Sequence, residues 1–173
     1  MSTWTLSPPQ AFPQPIGSAS SSCNYGAEGR GYFQVQSTRP QTVACGLVDS
    51  PAAQLAWIVE KFKEWTNPAA ELPEDAVDKD LLLTNASLYW FTRSGAGAAG
   101  FMYEAAHSTD WMMPSGTPQG TAVFAADSVT RAMLGPEHKV EHWSEFISGG
   151  HFAAMEAPDL LVEDVRAFFG PFR

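Results

Sequence analysis

The sequence has few of the features that define several large classes of protein. It contains two cysteines in 173 residues, Cys23 and Cys45. Two cysteines are too few for a disulfide scaffold, and their spacing is not that of metal ligands. Lys and Arg number 10 against 19 Asp and Glu, for a formal net charge of -9. Because nucleic-acid binding needs a basic face, we expect no nucleic-acid partner. Because of the number and spacing of the cysteines, we expect no bound metal and two free thiols.

Long apolar runs are also missing. No run of apolar residues approaches the roughly 20 that span a bilayer. The N-terminus lacks the basic segment followed by an apolar one that marks a secretory signal. We therefore expect no membrane segment in this sequence and a soluble, cytoplasmic protein. The hydrophobic content of 45% is nevertheless enough to bury a core.

Residues 1–28 lack aspartate and lack any hydrophobic periodicity. Proline and glutamine dominate residues 5–15, and residues 18–22 are small. Such a segment offers too little apolar surface to offset the entropy lost on ordering. We predict a disordered lead-in over residues 1–28, with a polyproline II ligand as the alternative.

A helix is predicted after Ser50, since serine is a good N-cap and Pro51 suits the first helical position. Asn67-Pro68 ends it. The apolar residues keep helical spacing, and the charged ones fall on a polar face. The apolar set is Leu55, Ile58, Phe62 and Trp65, and the charged set is Glu60, Lys61, Lys63 and Glu64.

A second helix is predicted to begin near Asp78 or Asp80 and to carry the apolar residues of 82–90. The small residues of 94–100 favour either a close helix crossing or a break. Helical character resumes at Phe101. Together these segments predict a helical region from Pro51 to about residue 107.

Two short apolar runs, 120–125 and 140–147, are typical of buried parallel strands. A helix is predicted between them at 128–134. The last helix begins at Pro158 and carries Leu161, Val165, Phe168 and Phe169 along one face. A strand, loop and helix repeated twice predict an α/β fold with a parallel sheet.

Candidate catalytic side chains follow both predicted strands. Asp127 comes after the first strand, and His151 follows the second strand and two glycines. The carboxyl ends of parallel strands share one sheet edge, where an acid can orient an imidazole that activates water. Two other interpretations stay open: Asp127 as a helix N-cap and His151 as a structural residue.

The segment Gly149–Leu161 closely resembles the histidine segment of epoxide hydrolases of the microsomal type, in the α/β-hydrolase superfamily. Residues 31–42 are similar to the cap-domain motif of that family, as are residues 49–51, 60–65 and 82–90. Residues 124–127 are similar to its acid-bearing strand end, although Ala125 stands where the family often has proline. The resemblance covers most of the chain after residue 30.

The resemblance implies a partial α/β-hydrolase fold, with a helical cap segment over 29–107 and the C-terminal part of the core over 108–173. It implies hydrolysis of a small-molecule epoxide to a diol through an aspartyl ester, with no cofactor. His151 and Asp127 would drive water onto that ester. Tyr32 and Tyr103 would donate hydrogen bonds to the epoxide oxygen.

One departure concerns the nucleophile. The family's nucleophilic aspartate and its His-Gly-x-Pro oxyanion-hole loop come earlier in the chain. Before Gly31 this sequence has no aspartate and no His-Gly pair. We therefore expect this chain alone to be inactive and to require a missing N-terminal half. The alternative is a non-catalytic relic that binds a small molecule or a protein.

The two predicted strands suggest a property of the purified chain. A lone parallel pair leaves edge backbone groups unpaired and helix faces uncovered. We expect the chain to be poorly soluble or to self-associate, as measured by size-exclusion chromatography with light scattering. A monodisperse monomer that unfolds cooperatively would contradict this expectation.

Overall fold

The computed structural model describes residues 28–108, 116–127 and 140–173. Short 3-10 turns lie at Glu28–Arg30 and Gly170–Phe172. Helices and two strands fill most of the rest, in the order α1 (Gly31–Thr38), α2 (Pro40–Asp49), α3 (Pro51–Trp65), α4 (Pro73–Ala76), α5 (Lys79–Thr92), α6 (Ser94–His107), β1 (Gly120–Val123), β2 (His142–Glu145), α7 (Ala153–Glu156) and α8 (Pro158–Phe169).

The strands β1 and β2 pair in parallel, as predicted. Gly120 lies opposite His142, and Val123 lies opposite Glu145. Both strands are shorter than the predicted runs 120–125 and 140–147. The reason is a turn after β1, in which Asp127 N donates to Phe124 O at 3.0 Å. This turn replaces the backbone bonds that would have extended the ladder.

The helix α3 has the predicted start and end. Ser50 Oγ accepts a hydrogen bond from Ala53 N at 3.2 Å, and Pro51 is the first helical residue. The prediction of its polar face is wrong at one position, because Lys61 is 8% exposed. Its ammonium lies among aromatic rings, which a helical pattern does not reveal.

The helix α5 begins as predicted at Asp78, whose side chain accepts hydrogen bonds from the backbone of Asp80 and Leu81. It ends at Arg93, which has a left-handed conformation with φ of 55°. The next helix, α6, starts directly afterwards. The small-residue segment therefore follows a break, and it also makes a close crossing, because buried Gly95 lies against Leu47 and Gln54.

The resemblance implied helices over 29–107, but the local pattern did not predict α1 and α2, although Pro40 at the first position of α2 is a usable signal. Pro158 begins α8 as predicted. Phe168 of α8 packs on β1 at Gly120. The predicted helix 128–134 lies outside the described residues, and so does the predicted lead-in before Glu28.

A compact apolar core joins the helical region to the segment after His151. Phe62 and Phe152 stack with ring centroids 3.9 Å apart. Since Phe62 lies on α3 and Phe152 precedes α7, this core holds the histidine loop against the helices. Its buried members are Phe62, Val77 and Leu82, and the partly buried residues packed on them are Ile58, Val59, Ala76, Phe152 and Met155.

Within the described ranges, no single helix is both long and apolar enough to cross a membrane. The pair Pro40–Asp49 and Pro51–Trp65 reaches that length and composition only when taken together, across a bend of 117°.

The crossing at Gly95 predicts opposite effects for two alanine substitutions in α6. A Cβ at Gly95 would overlap Gln54 Oε1 and lie 2.9 Å from Leu47 Cβ, whereas a Cβ at Gly97 meets nothing within 4 Å. Gly95→Ala should lower the free energy of unfolding by about 1–3 kcal/mol through overpacking. Gly97→Ala should raise it by about 0.5–1 kcal/mol.

Urea unfolding followed by circular dichroism measures both changes. Equal stabilities of Gly95→Ala and Gly97→Ala would show that α6 does not pack closely on Leu47 and Gln54 at Gly95.

Candidate active site

The loop before His151 lies directly on the C-terminal end of α3. A Cβ on Gly150 would lie 2.5 Å from Trp65 O and 2.7 Å from the carbonyl carbon of Thr66. Gly149 has φ of 76°, a conformation that favours glycine. His151 N donates to Trp65 O at 2.8 Å. The predicted close backbone approach at the two glycines is confirmed.

Glu156 connects the same two segments with its carboxylate. Oε2 accepts a hydrogen bond from Asn67 N at 2.7 Å, and Oε1 accepts one from Phe152 N at 3.1 Å. The local sequence pattern does not indicate this role of Glu156, because Asn67 is 89 positions away in the chain. With the His151 bond, these contacts hold the backbone on both sides of His151.

Trp65 brings two of the predicted site residues together. The Tyr32 ring meets Trp65 edge to face with centroids 5.1 Å apart, and the His151 ring does so at 5.0 Å. This fits the prediction that Trp65 belongs to the apolar face of the helix α3. His151 is exposed, so its imidazole is accessible to water.

The phenol of Tyr32 is half-buried beside charged groups. Burial raises the pKa of Tyr32, the Lys61 ammonium lowers it, and the Glu64 carboxylate raises it. The net effect is a pKa above the ordinary value for tyrosine. The hydroxyl therefore stays protonated at neutral pH, which is the form that donates a hydrogen bond.

Tyr103 lies on α6, apart from that pair. Its ring stacks on His107 with centroids 4.2 Å apart, and Tyr103 O lies 2.8 Å from His107 Nδ1. In the part of the chain that the structure describes, no hydrogen bond or ring contact joins Tyr103 to Tyr32 or His151. The structure therefore places Tyr103 on a helix packed against α1 without bringing its ring onto Trp65.

Asp127 follows β1, as His151 follows β2, so both lie beyond the carboxyl ends of parallel strands. Phe124 connects the two segments. A Cβ on Gly149 would lie 2.8 Å from Phe124 Cδ1, and the Phe124 ring stacks on Phe146 at 4.7 Å. The acid-bearing turn and the histidine loop thus share one aromatic contact.

A second cluster combines His142, Ser144 and Asp164 beside α8. Asp164 Oδ1 lies 2.7 Å from His142 Nε2 and accepts a hydrogen bond from Ser144 Oγ at 2.5 Å. In a nucleophilic triad the imidazole lies between serine and acid. Here one nitrogen, His142 Nε2, lies 3.1 Å from Ser144 Oγ as well as 2.7 Å from Asp164 Oδ1, and the serine also donates to the acid, so the imidazole does not lie between them. The three side chains join β2 to α8.

Across residues 28–108, 116–127 and 140–173, no three His, Cys, Asp or Glu side chains are grouped to hold a metal ion. Cys45 is a free, exposed thiol. Cys23 lies outside the described residues, so its predicted free state stays a prediction.

Curated proteins similar to this chain are epoxide hydrolases. A protein named putative epoxide hydrolase from Stigmatella aurantiaca is 40% identical over 152 residues, which are 86% of this chain. Epoxide hydrolase 1 of Sus scrofa is 34% identical over 81% of this chain. The chain spans about a third of the length of these relatives, 34% in both, and matches their C-terminal part. No protein-family profile matches the chain.

Two solved structures are also similar. Juvenile hormone epoxide hydrolase from Bombyx mori superposes with a TM-score of 0.67 at 33% identity, over 84% of this chain and 40% of that one. Aspergillus niger epoxide hydrolase superposes with a TM-score of 0.69 at 31% identity, over 86% and 37%.

The two hydrogen bonds of Glu156 predict a stability change. Glu156→Gln should lower the free energy of unfolding by about 1–3 kcal/mol, because an amide cannot accept both backbone N–H groups through two carboxylate oxygens. The matched control is Glu163→Gln on α8, where the glutamate is exposed. Equal denaturation midpoints for the two variants would show that Glu156 does not hold the loop.

Proposed function

We propose that this chain carries the cap and the water-activating part of a site that converts an epoxide to a diol. The basis is that the chain belongs to the epoxide hydrolases of the α/β-hydrolase family and matches their C-terminal part. The predicted family and the partial α/β-hydrolase fold are confirmed. The observation that carries the proposal is the placement of Tyr32 and His151 on one indole, Trp65.

In the first step of the proposed reaction, an aspartate attacks an epoxide carbon. A carbon–oxygen ester bond forms as a ring carbon–oxygen bond breaks, and the electron pair goes to the epoxide oxygen. Tyr32 and Tyr103 donate hydrogen bonds to that oxygen and supply its proton. Tyr32 is a neutral phenol at neutral pH, which is the form that can donate a hydrogen bond when the substrate binds.

In the second step, His151 takes a proton from water, and the resulting hydroxide attacks the ester carbonyl. The bond between the acyl carbon and the diol oxygen breaks, the proton of the hydroxide passes to that oxygen, and the diol and the aspartate carboxylate are released. The proton held by His151 returns to the tyrosine that protonated the epoxide oxygen in the first step, which restores both side chains. Asp127 accepts a hydrogen bond from the imidazole and orients it. The exposed position of His151 and its fixed backbone support this role.

The nucleophile in this proposal comes from residues that the present sequence does not contain. The family resemblance places it on an earlier strand, whereas the first 30 residues here lack aspartate. We accordingly propose that the 173-residue chain alone forms no ester and that turnover requires the preceding part of the α/β-hydrolase core.

A chimeric enzyme tests the assignment of roles. Residues 28–173 would replace the matching C-terminal part of the Stigmatella aurantiaca relative. Hydrolysis of styrene oxide by this chimera would be measured as the rate at which the diol forms. His151→Gln should slow turnover by about 10²- to 10⁴-fold, the usual contribution of a general base. The ester should then accumulate and be visible by mass spectrometry of the intact protein.

Tyrosine variants separate the first step from the second. Tyr32→Phe should slow ester formation in a single turnover by about 10²-fold, because one oxyanion donor is lost. The control is Tyr89→Phe, on α5, which we expect to leave the rate of ester formation unchanged.

Undiminished turnover in His151→Gln would refute the assigned base. Styrene oxide binding by the chimera without any ester would instead favour a binding module.

A further inference from the structure

Lys61 is a buried cation that the proposed reaction does not use. Its side chain is 11% exposed, although lysine is rarely buried without a partner. It lies on α3, one turn before Trp65. A charge in such a position costs desolvation free energy unless neighbouring groups compensate for it.

Three aromatic rings surround the Lys61 ammonium. Nζ lies 4.6 Å from the ring centroid of Tyr32, 5.5 Å from that of Trp65 and 6.0 Å from that of Trp57. A cation within about 6 Å of an aromatic face is attracted to the negative face of the ring. Lys61 therefore attracts two rings of its own helix and, on α1, the ring of Tyr32.

Two carboxylates keep the ammonium charged. Lys61 Nζ lies 2.5 Å from Glu60 Oε1 and 3.2 Å from Glu64 Oε2. Burial lowers the pKa of Lys61, but the hydrogen bonds and charges of Glu60 and Glu64 outweigh burial and raise it. The side chain is thus a permanent cation at neutral pH, and its charge is balanced by the more exposed carboxylates of Glu60 and Glu64.

We infer that Lys61 is a positioning residue for Tyr32, because its ammonium holds the Tyr32 ring on Trp65, the indole that also carries His151. The inference rests on the proposed function in one respect, since the proposed function gives the held phenol its role as a donor to the epoxide oxygen. The evidence for the holding itself is the set of distances from Nζ to the rings and carboxylates.

A cation differs from an apolar spacer in its effect on the phenol. The charged groups that act on Tyr32 are Lys61 and Glu64, with Glu60 paired to Lys61. The Lys61 charge lowers the pKa of Tyr32, in opposition to burial. Replacement of the cation by a neutral side chain of similar length and volume, which keeps the ring buried, therefore raises that pKa further.

Fluorine NMR of the intact chain measures this effect without turnover. The tyrosines are replaced biosynthetically by 3-fluorotyrosine, whose greater acidity brings the titration to a milder pH, and Tyr32→Phe assigns the signal. Lys61→Met should raise the Tyr32 titration midpoint by about one pH unit. Lys61→Arg, which keeps the charge, should leave it near the wild-type value.

The control variant is Lys63→Met, on the same helix, where the exposed Lys63 ammonium donates to Glu71 O. It should leave the Tyr32 midpoint unchanged. An unchanged midpoint in Lys61→Met, with helicity preserved by circular dichroism, would overturn the inference. Equal midpoint shifts in Lys61→Met and Lys61→Arg would also overturn it, because they would indicate packing and not charge.

A second measurement needs no variant that might fail to fold. The rings around Lys61 should move its ε-methylene proton resonances upfield of those of the other lysines in the native chain. Ordinary shifts for all lysines would overturn the inference. If instead Lys61→Met raises the Tyr32 midpoint as expected but Tyr32→Phe does not slow ester formation in the chimera, the proposed function fails and the placement of Lys61 stands.

Discussion

Backbone contact between the end of α3 and the loop before His151 determines the rest of the candidate site. Gly150 fits there because any Cβ would meet Trp65 O and the Thr66 carbonyl carbon. The bond from His151 N to Trp65 O and the Glu156 carboxylate hold this contact. The backbone of His151 is therefore fixed relative to a helix more than 80 residues earlier in the chain, which would preorganise the imidazole for its proposed role as a base.

Trp65 extends this contact to the first helix. Its indole meets both Tyr32 and His151, and the Lys61 ammonium lies near the two rings of Tyr32 and Trp65. One turn of α3 thus combines a backbone acceptor, an aromatic platform and a cation. The helical region is consequently part of the site and not merely a cover for it.

Local patterns predicted the elements whose causes are local. Ser50 and Asp78 caps, proline at the start of α8 and the two apolar strand runs depend on neighbouring residues, so the sequence predicts them well. The local pattern missed the helices α1 and α2, in which apolar residues such as Val35 and Leu47 alternate with polar and small ones over only 8 and 10 residues. The burial of Lys61 was missed for another reason, because helical periodicity places it on the polar face while its partner Tyr32 lies on α1.

For the site, the sequence by itself determined the family through the order of its motifs, and it determined which residue types are available: His151, Asp127, Tyr32 and Tyr103. Tertiary structure decided how these residues are grouped. Tyr32 and His151 meet at Trp65, Tyr103 stacks on His107, and Glu156 reaches Asn67 across 89 residues. Such groupings depend on packing between distant segments, which a local sequence pattern does not encode.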